Sequence, residues 1–138
     1  MPYCTRQDMI GRFSEEELIQ LTDNDNLDVI DDSVLNLAID DAGAEIDGYL
    51  AKYDLPLTTV PAVLVRLCAD IARYFLYDDA APERVKDRYD AAIKFLLNVS
   101  KGTISLGPDE SGDIPVTNDS AEMTSGGRVF TRSDNGFL

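Results

Sequence analysis

Apolar residues recur at helical spacing through most of the first hundred positions, and that periodicity narrows the possible folds more than any other property of the sequence. Leu35, Ala38, Ile39, Ala42, Ile46, Tyr49, Leu50 and Tyr53 follow i, i+3, i+4, i+7 spacing, which lines one side of a rod turning once every roughly 3.6 residues. The run predicts a long helix capped by Asp32 or Ser33 and reaching about Tyr53. On its opposite side lie Asp40, Ala44, Asp47 and Ala51, with Gly48 close by. That outward stripe is acidic and made of small side chains.

A second helix is expected from Pro61 to about Tyr77. Leu64, Leu67, Cys68, Ile71, Ala72, Phe75 and Leu76 form so wide an apolar arc that only a narrow polar stripe of Arg66, Asp70, Arg73 and Tyr77 remains. A helix apolar over more than half its circumference belongs at the centre of a bundle. Arg66 and Asp70, four residues apart, are expected to pair on the stripe. Pro82 opens a third long helix, with Val85, Tyr89, Ala92, Ile93, Leu96 and Val99 on one face and Gly102 as the stop after Lys101. Asp78–Ala81 leaves room only for a tight turn, which makes the second and third helices antiparallel neighbours.

Capping signals add two short helices before these. Thr5 with Asp8, and Ser14 with Glu17, each place a hydroxyl three residues ahead of a carboxylate, the pattern of a capping box. Thr22–Asp28 follows as a loop, since its Asn and Asp side chains compete for backbone hydrogen bonds. The expected fold is all-α: three long helices and two short N-terminal ones over residues 1–102, then an extended arm over 103–138. Thr103–Gly107 alternates as a short strand would, and Pro108–Gly127 offers only Ile114, Val116 and Met123 to bury. The end turns apolar and basic again at Arg128-Val129-Phe130-Thr131-Arg132 and Asn135-Gly136-Phe137-Leu138, so Arg128, Phe130, Arg132 and Phe137 are the candidate docking residues of the arm, against the alternative that the aromatics pack back onto their own chain.

Charge and composition then remove classes of function. The chain has 138 residues with 12 Lys+Arg against 26 Asp+Glu, a formal charge of −14, which repels nucleic-acid phosphate and anionic lipid. Nothing approaches the ~18 apolar residues of a membrane span, and Met1–Arg12 has no apolar secretory core. A soluble intracellular protein is expected. No histidine is present, which excludes His-based triads and the commonest metal ligand. Phosphate-loop, dinucleotide-binding and nucleophile-elbow motifs are missing too. Adjacent carboxylates such as Asp31/Asp32 and Asp40/Asp41 point about 100° apart on a helix and do not converge on one substrate. The expectation is a protein without catalytic activity, cofactor or metal. Asp23, Asp25 and Asp28 resemble a calcium loop only loosely, because Asp28 stands where the glycine belongs and Val34 where the bidentate glutamate belongs. Cys68 reads as a buried apolar residue and Cys4 as partly exposed, both free thiols rather than a disulfide scaffold.

Three stretches carry a resemblance: Tyr3-Cys4-Thr5-Arg6-Gln7-Asp8-Met9-Ile10, Ile46-Asp47-Gly48-Tyr49-Leu50-Ala51-Lys52-Tyr53-Asp54-Leu55-Pro56-Leu57, and Leu64-Val65-Arg66-Leu67-Cys68-Ala69-Asp70-Ile71-Ala72-Arg73-Tyr74. Together with the closing Arg128–Arg132 they are similar to the Mu-like phage and prophage family of small helical proteins. The resemblance implies a mainly helical virion morphogenesis protein of the head-tail connector or head-completion type, assembling as a homo-oligomeric ring beneath the portal and next to tail-completion proteins. It implies no catalytic motif.

Under that resemblance, Asp31, Asp32, Asp40, Asp41 and Asp47 become candidates for a channel wall past which DNA slides without adsorbing. Net acidity also serves plain solubility. Ala44, Gly48 and Ala51 become candidates for a subunit contact, against the alternative of an ordinary exposed face. A reading from a different class is an acidic DNA mimic that inhibits a nucleic-acid enzyme. Regular phosphate-like spacing would favour it, but here carboxylates concentrate between Glu15 and Asp54 and alternate with Arg and Lys further on.

Overall fold

A computed structural model describes residues 2–106 and Pro115. Five helices form in chain order: α1 (Arg6–Phe13), α2 (Glu15–Thr22), α3 (Asp32–Tyr49), α4 (Ala62–Tyr77) and α5 (Glu83–Ser100). The short pair begins as the capping signals predict. The Thr5 hydroxyl accepts from the Asp8 N–H while the Asp8 carboxylate accepts from the Thr5 N–H. Ser14 ends α1 and caps α2 at once, accepting from Glu17 N–H, and holds a positive φ of 93° to do so.

Helix α4 is the central element, packed against α3 and α5 and touched by α1 and α2. Its Leu64, Leu67, Cys68, Ile71 and Ala72 are buried with Leu35, Ile39, Ala42 and Ile46 of α3 and Ala92, Leu96 and Val99 of α5. Each large aliphatic side chain removed from water contributes about 1.5–3 kcal/mol, so this three-helix seam carries most of the apolar burial. A single 3₁₀ turn at Asp78–Ala80 links α4 to α5. Tyr74 and Tyr89 stack across the two helices at 4.1 Å and 12°.

The structure departs from the sequence expectations at several places, the first being the cap of α3, which is Asp31 rather than Asp32 or Ser33. Helix α3 stops at Tyr49 rather than near Tyr53, because Leu50 N–H turns back to the Asp47 carbonyl and Tyr53 N–H to the Leu50 carbonyl. Leu50 and Tyr53 stay buried, so the apolar pattern runs on through a turn after the helix has ended. Within the α4 polar stripe, Asp70 and Arg73 are only 4% and 7% exposed, since α5 and α2 close over them, while Arg66 stays exposed. Cys4 is buried rather than partly exposed, with its Sγ 3.3 Å from that of Cys68. Finally, residues 103–106 form no strand. Ile104 and Leu106 do turn inward as the alternation suggested, but Leu106 N–H donates to the Tyr53 hydroxyl at 3.1 Å instead of to a neighbouring strand. The backbone makes a sharp exit from α5 at Gly102, whose φ of 82° suits a residue without a Cβ.

Candidate functional site

Charged groups fall into two populations. The first is interior. Arg73 Nε and Nη2 bind the two Glu17 carboxylate oxygens at 2.7 and 3.0 Å, a fork-to-fork pair of the strong kind. Its guanidinium also sits 4.4 Å from the Phe13 ring centroid, and Tyr77 donates to Glu17 at 3.2 Å. One residue of α4 thus fastens both short helices. Asp70 takes Arg88 at 3.4 Å and the anticipated Arg66 at 4.0 Å. Tyr89 donates to Glu45 at 3.2 Å. Burial, followed by the Glu45 charge, pushes the Tyr89 hydroxyl up to about 12; burial and then Glu17 raise Tyr77 as well. The sequence marked the α4 stripe residues and the Arg66–Asp70 pair but not Glu17 or Arg88, because those partners come from other helices.

The second population contains the candidate channel acids, which do not share one face. Asp31 caps α3, accepting from the Ser33 hydroxyl at 2.7 Å and from Ser33 and Val34 N–H; these bonds, the hydroxyl first, hold its carboxyl below the usual range. Asp32 is exposed and pairs with Arg6 at 2.8 Å. Asp40 and Asp47 lie with Ala44, Gly43 and Pro2 around a shallow recess of about 230 Å³. Asp47 accepts from the Tyr3 hydroxyl. Burial, reinforced by that bond and the Asp47 charge, raises the Tyr3 pKa. Asp23, from the loosely calcium-like loop, accepts from Leu27 and Asp28 N–H and so shapes the turn.

Ala44 and Gly48 are exposed on the outer side of α3, and a Cβ at Gly48 would meet nothing within 4 Å. Ala51 lies beyond the helix end, in the turn, so it does not continue their stripe. The close approach on this helix occurs at Gly43 instead, where a Cβ would stand 3.7 Å from the Tyr3 ring.

A groove of about 320 Å³ opens on the other flank of α3. Leu21, Val34, Leu37, Phe75 and Leu76 line it, and Asp41 and Asp78 contribute carboxylates. Leu37 is 62% exposed at the groove. The candidate docking residues Arg128, Phe130, Arg132 and Phe137 lie outside the described residues. Among the described residues, no helix is long and apolar enough to cross a membrane.

Fold and surfaces define a small all-α protein with an internally tied bundle and an acidic exterior. The profile of the family described as Bacteriophage Mu, Gp36, matches residues 3–125, and the chain belongs to that family. It is 37% identical to the Mu-like prophage FluMu protein gp36 of Haemophilus influenzae (strain ATCC 51907 / DSM 11121 / KW20 / Rd), over 99% of this chain and 98% of that one. It is 33% identical to gene product J of Escherichia phage Mu over the whole of both chains.

Proposed function

We propose that the chain is a structural virion-assembly protein, a head-tail connector subunit whose copies form a ring beneath the portal and meet the tail-completion proteins. It works in the bacterial cytoplasm while heads assemble, stays in the particle, and needs no cofactor, catalytic step or membrane. The observation that carries this reading is the end-to-end match to two Mu-type phage proteins, joined by a net charge of −14 that keeps a duplex from adsorbing to a surface it passes. Asp40 is the best channel-wall candidate, being exposed and outside the ion pairs of the described residues. Ala44 and Gly48 offer a flat contact for a neighbouring subunit. The DNA-mimic alternative draws less support, because Glu17, Asp31, Asp32, Glu45 and Asp47 are committed to internal partners rather than arrayed at regular spacing.

Electron microscopy of phage particles made without this protein tests the reading. DNA-filled heads lacking tails are expected; normal virions would end it.

A further inference from the structure

The groove on the α3 flank has apolar walls and two carboxylates among its lining, Asp41 from α3 and Asp78 from the end of α4. Neither carboxylate is in an ion pair among the described residues. Residues 1–106 carry ten basic against twenty acidic side chains, so a cationic ligand is favoured everywhere on this body and most where it also fills an apolar slot. Beyond residue 106 the only positive charges are Arg128 and Arg132, and they flank Phe130 symmetrically. In an extended segment, side chains two apart project to the same side. An Arg128–Arg132 segment bound in that form would place one aromatic ring between two guanidinium groups, the complement of an apolar slot that carries two carboxylates.

We infer that this groove receives the Arg128–Arg132 segment of a second copy of the chain, with Phe130 against Leu37, Phe75 and Leu76 and the two arginines facing Asp41 and Asp78. Pro115 is buried, and the thirteen positions from it to Arg128 span at most about 45 Å at the ~3.3–3.6 Å per residue of an extended chain, enough to reach a neighbour. A segment-into-groove contact joins two different patches, the kind of contact that builds a ring when the rotation between copies closes. This inference rests on the connector reading for its choice of a neighbouring copy, and it adds the contact that holds neighbours together.

Photo-crosslinking of the full chain carrying Phe130→p-benzoylphenylalanine tests it and captures even weak association. The expected product is a covalent dimer whose linked peptides map to Leu37, Phe75 or Leu76. Leu37→Glu, at an exposed site that leaves the fold intact by circular dichroism, should cut the dimer on the order of tenfold by placing an unpaired charge in the slot. Asp41→Asn with Asp78→Asn should cut it less and flatten its salt dependence. Links confined to the monomer would assign the groove to the chain's own arm and overturn the inference. So would links elsewhere, no links, or a dimer indifferent to Leu37→Glu. Those failures leave the connector reading standing, since the tailless-particle phenotype decides that separately.

Discussion

The polar stripe of α4 and the outer side of α3 both carry carboxylates and use them in opposite ways. On α4, Asp70 and Arg73 are closed in by neighbouring helices and spend their charge on Arg88, Arg66 and Glu17. On α3, Asp40, Ala44 and Gly48 face outward with nothing of the bundle covering them. A buried charge that loses its partner cannot recover its solvation, whereas an exposed one hardly notices the change. The contrast therefore separates the residues that hold the fold from those left free to meet something else.

The largest effect should come from breaking the interior side. Arg73→Met removes the fork to Glu17 and the cation over Phe13, leaving a mostly buried carboxylate; about 3 kcal/mol of unfolding free energy should be lost in urea titration. Adding Glu17→Leu should restore much of that loss. If Arg73→Met were as mild as a surface change, the distinction between the two regions would fail.

Tyr89→Phe deletes the bond to Glu45 and should cost about 1 kcal/mol at neutral pH. It also sharpens the comparison through pH. The folded Tyr89 hydroxyl titrates at about 12 against an ordinary value of 10.0. Its contribution is thus complete below pH 10 and is lost as pH rises from there through 12. Thermal melts of the parent should fall across that window, and those of Tyr89→Phe should fall less.

On the outer side, Gly48→Ala should raise stability by at most about 0.5 kcal/mol, because the site lies in the last turn of α3 with open space for the added methyl. A bulky Gly48→Leu that folded normally but failed to assemble into particles would mark this surface as a subunit contact. Smallest of all, Asp40→Asn should leave the unfolding free energy within about 0.5 kcal/mol of the parent in urea titration. A larger loss would mean that Asp40 belongs with the interior group.

Much of the bundle was legible because helix periodicity and caps are local. Thr5 with Asp8, Ser14 with Glu17, Pro82 and Gly102 all mark ends within a residue or so. The end of α3 is not legible because Leu50 and Tyr53 keep the apolar rhythm after the helix stops and stay buried in the core through packing with other segments. Reading the helix on to Tyr53 also puts Ala51 on a helix face it does not occupy. Cys4 looked exposed because its partner lies 64 positions away.

The sequence by itself determined that this chain forms helices, roughly where each begins, which sides are apolar, and that its surface is strongly acidic. Those properties depend on neighbours three or four residues apart and on composition. Only the tertiary structure decided which polar residues are interior, that Arg73 ties α4 to α2, that two distant thiols meet, and that Leu37 is left in an open groove beside Asp41. Each of these depends on which helix lies across from which. Packing distances between chain segments far apart in sequence set that choice, and no local pattern encodes them.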